Sequence, residues 1–368
     1  MAGMRHEVPL EIEFVGGEKA RRVSSLLSLP EEPRCLHVLA HGAGAGMRHP
    51  LLEGVSELLH ERGIGTLRFR FPYREAGRKI PDPPPILEAA VRAAIARARG
   101  LAHGVPLLAG GKSLGGRMTS NLAAREALEG VIGIVFLGFP LHPAGKPSTE
   151  RADHLAHVSL PMLFLQGTRD SLADLSLLEP VCRDLGRRAT LHVVEGGDHS
   201  FDVLRRSGRD PREVREEIAD AIDAFASRLL GEPKRTPQTG VVPWRRTGNG
   251  LEYCLVTTMK GKWGFPKGMI DPGETSAETA RKEALEEAGI EGAIEGPPLG
   301  SYDYAKWGLA LRATFYLMEV ERCREDWPES EMRERRWCAY DEAYDLLGRD
   351  ELRTMLARAR DRLETGRA

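Results

Sequence analysis

From about residue 34 to residue 230, short apolar runs alternate with Ala-, Leu- and Arg-rich stretches of helical period. This alternation constrains the fold more than any other feature of the chain. Strands that are apolar on both faces need cover on both faces, and a parallel sheet with crossover helices provides it. Arg34–Ala40, Gly65–Phe69, Val105–Ala109, Gly133–Gly138, Met162–Gln166 and Thr190–Val194 read as central strands. Leu51–Arg62, Ile86–Ala98, Arg117–Ala127 and Pro211–Leu230 read as the helices between them. Near residue 232 the texture changes. Gly231–Gly240 carries two prolines, two glycines and no apolar run, which is linker composition. Beyond it, strand-like runs flank the turn residues TGNG as in an antiparallel hairpin. A helix over about Thr275–Ala288, a strand over Ala310–Glu319 and a C-terminal helix over about Asp341–Thr365 follow. The expected organisation is an α/β chain of two domains, 1–230 and 239–368, joined by a linker at 231–238.

Composition narrows the classes of partner. Of 368 residues, 52 are Lys or Arg and 54 are Asp or Glu, so the formal net charge is -2. A chain this close to neutral has no global electrostatic drive toward a nucleic-acid polymer or an anionic membrane. No uninterrupted apolar run approaches the ~20 residues that span a bilayer. The N-terminus is charged throughout and lacks a signal-peptide core. The 5 cysteines are odd in number, scattered and without a C-x-x-C pair. They imply neither a disulfide framework nor a zinc knuckle. These features make a cytoplasmic protein with small-molecule ligands the expectation.

One chemical constellation follows the strand that ends near Ala109. Gly111-Lys112-Ser113-Leu114-Gly115 is G-x-S-x-G between a strand and a helix. In that setting the glycines allow a tight turn that lifts Ser113 above the sheet. A hydroxyl needs a base to become a nucleophile. Asp170 follows one later strand and His199 follows the next, giving the chain order Ser, Asp, His. His199 is the expected base and Asp170 its orienting acid, favoured over Asp198, which adjoins His199 in sequence. The loop His41–Gly46 offers a backbone N–H of Gly42 or Ala43 to join that of Leu114 as an oxyanion hole. His41 itself reads as structural. A phosphate-cradling G-x-x-x-x-G-K-S fails, because residue 106 is Pro106 rather than glycine.

The second constellation lies in the later part of the chain. Thr275 and Glu278 have capping-box spacing, and Gly289 stands where a helix ends. Between them Glu283, Glu286 and Glu287 sit at i, i+3 and i+4 on one helical face. Three like charges there repel, and a hard divalent cation turns them into a site.

HGAGAGMRHP, FRFPYREAGRKIPDPP and GGKSLGGRM together resemble a small, capless α/β-hydrolase of the dienelactone-hydrolase-like kind. The resemblance implies ester or acyl hydrolysis without a cofactor. Gly268 to Ile290 closely resembles the Nudix box, G-x5-E-x7-R-E-U-x-E-E-x-G-U, with U an apolar residue and Lys282 in place of the arginine. That likeness, over roughly 240–365, implies an α/β/α sandwich with a mixed sheet and Mg²⁺- or Mn²⁺-dependent cleavage of nucleoside diphosphates linked to another moiety. It further implies Glu283, Glu286 and Glu287 as metal ligands, Glu287 also as a base, Gly268 as a carbonyl ligand and Glu274 as a loop anchor. Lys267 is a candidate phosphate contact. Tyr302, Tyr304 and Trp307 offer either a base-stacking surface or core packing, and Glu329, Glu331 and Glu334 stay without a role. The reading is a bifunctional hydrolase; its rival keeps one domain catalytic and makes the other a ligand-binding or regulatory module.

Overall fold

The computed structural model describes residues 7–102, 104–232, 235–248, 250–258, 261–271, 273–306 and 309–365. The chain forms two compact units that part between Glu232 and Pro233.

The first unit is an eight-stranded sheet in the order β1-β2-β4-β3-β5-β6-β7-β8. Its strands are β1 Glu7–Gly16, β2 Lys19–Ser28, β3 Cys35–Ala40, β4 Ile64–Phe69, β5 Leu107–Lys112, β6 Val131–Leu137, β7 Met162–Gly167 and β8 Ala189–Val194. From β4 to β8 all neighbours are parallel, while β1 and β2 form an antiparallel hairpin added at one edge. The hairpin turns at Gly17, whose φ of 70° suits glycine. Helices α1 Pro50–Glu61, α2 Pro72–Glu75, α3 Pro84–Leu101, α4 Leu114–Ala123, α5 Leu175–Leu185 and α6 Pro211–Leu229 cover the sheet.

Every residue of β3, β4, β5 and β7 is buried, as strands covered on both faces require. Leu36, Val38 and Ala40 pack with α3 and α4, whereas Cys35 and Leu39 pack with α1 and α6. The period-two alternation of a strand divides one short sequence between two cores. The chain leaves β3 for β4 on one side and later returns to β5 on the other. That reversal opens a crevice at the carboxyl ends of β3 and β5, the usual place for a ligand in an open α/β sheet.

The second unit is a seven-stranded mixed sheet of β9 Arg235–Thr247, β10 Gly250–Thr257, β11 Trp263–Gly264, β12 Lys267–Met269, β13 Ile290–Lys306, β14 Leu309–Cys323 and β15 Arg335–Cys338. Strand β9 pairs parallel with β14 and antiparallel with β10 and β12. Helix α7 Ser276–Ala288 buries Ala280 and Ala284 against Val241, Tyr316 and Met318. A second core gathers Val242, Phe315 and Leu317 with residues of α8 Tyr340–Leu346 and α9 Asp350–Thr365. The sheet is therefore a filling between helices.

Three expectations change. Arg235–Gln238, read as part of a linker, already belongs to β9 and pairs with Ala310–Ala313. Composition marks a segment as loop-like but says nothing of a partner strand 75 residues away (310 − 235). The single C-terminal helix is two, because the chain turns extended at Leu347 (ψ 113°) ahead of Gly348. The edge hairpin β1–β2 and helix α5 were not anticipated at all. Five thiols are free, four of them buried. Among the described residues no helix is long and apolar enough to cross a membrane.

The sheet also buries imidazoles. His37 is wholly inside and neither ring nitrogen has a hydrogen-bond partner. Burial pushes its pKa down to about 3, and those of His41 and His154 to about 4. The unfolded chain takes up these protons near pH 6.5, before the folded chain does, so stability falls as pH drops through that window. His37→Leu should flatten this acid limb and restore on the order of 1–3 kcal/mol at pH 4. Urea unfolding of both proteins between pH 4 and 7 checks it; parallel pH dependences would contradict it.

Candidate active sites

In the first unit, β5 runs straight into the turn that carries Ser113. Ser113 has φ 49° and ψ -110°, a conformation rare for any residue with a side chain. Packing enforces it. A Cβ on Gly111 would overlap the Ala40 carbonyl oxygen, and one on Gly115 would lie 2.7 Å from that oxygen. The glycines let α4 start directly against β3, which leaves Ser113 half-exposed beyond the carboxyl end of β5.

His199, on the loop after β8, stands between two partners. Its Nδ1 is 2.7 Å from Asp170 Oδ2 and its Nε2 is 2.9 Å from Ser113 Oγ. A carboxylate only accepts, so Nδ1 carries the hydrogen and donates to Asp170, leaving Nε2 to accept from the serine hydroxyl. The Asp170 side chain is fully buried. It also accepts from Gln166 Nε2 at 2.5 Å and from the Leu172 N–H at 2.8 Å. Asp198 instead accepts from the N–H groups of Ser200 and Asp202, at 2.7 and 3.0 Å, and so caps its own turn. Gly138 passes beside His199 and Asp170 at φ 72°, a backbone conformation that suits glycine.

The loop after β3 comes beside the serine: a Cβ on Gly42 would lie 3.6 Å from Ser113 Cβ. Leu114 is the first residue of α4, where an N–H has no partner within the helix. The Ala43 carbonyl is taken by the Tyr73 hydroxyl at 2.8 Å, which fixes the loop. His41 accepts from the Phe71 N–H through Nε2 at 3.0 Å and is buried. It braces that loop from behind. Sequence reasoning passed over Lys112, whose buried ammonium donates to the His199 carbonyl oxygen; burial lowers its pKa to about 8. A lysine beside a nucleophile was its only signal.

In the second unit, Thr275 caps α7 in a full capping box with Glu278, and Gly289 closes it at φ 64°. Lys282 Nζ donates to Asp271 at 2.6 Å and to both Glu274 oxygens at 2.8 and 3.0 Å. Lysine here reaches the loop glutamate without a guanidinium fork, and the Thr279 hydroxyl donates to that glutamate as well, at 2.6 Å. Those contacts hold Glu274 below the usual carboxylate range.

The Glu283 carboxylate lies over the Gly268 Cα, where any Cβ would overlap it. Burial, and then the charges of Glu287 and Glu286, push its pKa up to about 7. Glu287 is buried, accepts from the Lys267 N–H at 2.9 Å through one oxygen and from Arg333 through the other. Lys267 Nζ is occupied by Tyr304 Oη at 2.8 Å and Gln238 Oε1 at 3.1 Å. Tyr302 stacks on Phe315 in the core, and Trp307 lies outside the described residues. Arg333 also joins Glu329, four residues before it.

Among the described residues, no group of three or more His, Cys, Asp or Glu is placed to hold a metal ion. The donor chemistry nonetheless fits a hard divalent cation. Glu283 feels two neighbouring carboxylates and the more distant Lys282 charge above a glycine cradle, and the candidate donors are oxygens.

Comparisons with known proteins agree with this division. Residues 33–227 match the alpha/beta hydrolase domain and residues 234–359 the NUDIX domain. Nudix hydrolase 4 of Arabidopsis thaliana is 36% identical over 118 residues, 29% of this chain and 56% of that protein. The chain thus spans just over half the length of that relative. The bis(5'-nucleosyl)-tetraphosphatase [asymmetrical] of Sus scrofa is 31% identical over 113 residues, 29% of this chain and 76% of that protein. The crystal structure of dienelactone hydrolase from Anabaena variabilis superposes with a TM-score of 0.48 at 20% identity, covering 59% of this chain and 95% of that one.

The elbow packing makes a mechanical prediction. Gly115→Ala should lose about 3 kcal/mol or more through overpacking against β3. Gly44→Ala, in open space, should be near neutral. Chemical unfolding of both variants checks this, and equal stability would contradict the packing account.

Proposed function

The chain belongs to the alpha/beta hydrolase domain family through residues 33–227 and to the NUDIX domain family through residues 234–359, and from that premise we propose that it is a bifunctional hydrolase. Its first site hydrolyses small esters or acyl compounds through Ser113. Its second cleaves the pyrophosphate bond of a nucleoside diphosphate linked to another moiety, or of a related polyphosphate, with Mg²⁺ or Mn²⁺. The work is divided between the two units that part after Glu232.

The observation that carries the first assignment is the unbroken row Ser113–His199–Asp170 at a strained turn. As the Ser113 oxygen attacks an ester carbonyl, His199 Nε2 takes its proton and Asp170 stabilises the imidazolium that forms. The N–H of Leu114, with that of Gly42 or Ala43, receives the developing oxyanion. His199 then returns the proton to the leaving alkoxide. Water attacks the acyl-enzyme by the same relay.

For the second site, Glu283, Glu286, Glu287 and the Gly268 carbonyl would hold the metal. When bound, it would neutralise the diphosphate and lower the pKa of an attacking water. Lys282 holds the loop through Glu274, and Lys267 sets Glu287 through its backbone N–H. The tetraphosphatase relative supports a dinucleoside polyphosphate as a first substrate to try.

The two chemistries should separate. Ser113→Ala should reduce model-ester hydrolysis by at least ~10³-fold and leave pyrophosphate cleavage unchanged. Glu283→Gln should cut pyrophosphate cleavage by at least ~10²-fold with ester hydrolysis intact, and EDTA should mimic only that variant. Loss of both activities in either folded variant would contradict independent sites. Retained ligand binding with no turnover in one unit would favour the rival reading, in which that unit is a binding module.

A further inference from the structure

Of the three glutamates on one face of α7, Glu287 alone has a cation of its own. Arg333 donates to Glu287 and to Glu329, and through Nη1 to the Thr257 carbonyl at 2.9 Å. Its partners therefore lie on three separate segments: α7, the loop before β15 and the last residue of β10. Arg333 and Glu287 side chains are each 11% exposed. Glu283 and Glu286 have no side-chain hydrogen bond or ion pair to another described residue. The remaining nearby cations are committed elsewhere, Lys282 to Asp271 and Glu274, and Lys267 Nζ to Gln238 and Tyr304.

A carboxylate this buried is costly without a positive partner. A guanidinium supplies one with planar, directional donors. It also occupies the oxygen that a divalent cation would need.

We propose that Arg333 is a built-in counter-cation for Glu287, which stabilises the unloaded site and competes with the divalent cation for that carboxylate. The proposal rests on the metal-dependent reading above. Glu283, Glu286 and the Gly268 carbonyl would hold the cation first, and Glu287 would join them as one guanidinium nitrogen gives way at Oε1, its Oε2 accepting the Lys267 N–H. Arg333 keeps Glu329 and Thr257 as anchors, so it shifts without leaving the site.

The test is calorimetric titration of the full chain with Mn²⁺ alone, supported by Mn²⁺ paramagnetic resonance, for the wild type, Arg333→Gln and Arg333→Lys. If Glu287 is free of Arg333 about a tenth of the time, removing the competitor tightens apparent Mn²⁺ affinity about tenfold. Arg333→Lys, which keeps charge but loses the fork, should gain less. Metal-free Arg333→Gln should melt at a lower temperature yet show a larger rise on adding Mn²⁺. In a Glu287→Gln background the gain should vanish. Equal or weaker Mn²⁺ binding by Arg333→Gln, or a gain that survives Glu287→Gln, overturns the proposal while leaving the metal site intact. A wild type that binds no Mn²⁺ overturns the metal reading itself, and this inference with it.

Discussion

The close approach of α4 to β3 sets the geometry of the first site. Without side chains at Gly111 and Gly115, the turn after β5 seats against the Ala40 backbone, and that seating forces Ser113 into its unusual φ of 49°. The strain costs on the order of 1–3 kcal/mol, affordable only where surrounding packing over-determines it. Here β3, β5 and β6 are buried almost throughout and cannot shift to relieve it. The same packing brings the Gly42 loop alongside the serine, so nucleophile and backbone donors share one support. Lys112 extends this support to the His199 loop by donating to its carbonyl.

The second site is governed by charge. A helix with Glu283, Glu286 and Glu287 on one face works against its own stability, and the chain offsets this one carboxylate at a time. Glu274 is held by Lys282 and Thr279, and Glu287 by Arg333 and the Lys267 N–H. Glu283 is left beside Gly268 without such a partner, its pKa raised mainly by burial. In the proposed reading, this is the carboxylate that a cation would join first. The two sites thus rest on different physics, steric enforcement in one and electrostatic imbalance in the other.

Local features were the legible ones. The doubly apolar strands, the turn at Gly111–Gly115, the capping box at Thr275 and the i, i+3, i+4 glutamates are all written in short stretches whose meaning depends on period and spacing. Asp170 was separable from Asp198 because Asp198 adjoins His199 in sequence and is poorly placed to face the far ring nitrogen, and the structure adds that the Asp198 carboxylate caps its own turn. What escaped was pairing at a distance. Arg235–Gln238 has linker composition but joins β14, and Arg333 reaches Glu287 across 46 residues. Neither contact leaves a periodic trace. The hairpin β1–β2 was missed although Leu10–Phe14 alternates apolar and acidic residues with period two, the mark of a half-buried strand.

The central claim is that one chain holds a serine site and a metal site that work by separate chemistry. Intact-protein mass spectrometry after treatment with a fluorophosphonate, with and without EDTA, combined with an assay of the same sample for pyrophosphate cleavage, tests it most directly. The account predicts a single adduct at Ser113 under both conditions and, once Mg²⁺ is restored, undiminished pyrophosphate cleavage by the labelled protein. No adduct at Ser113 in the folded chain, or loss of pyrophosphate cleavage on labelling, would contradict it.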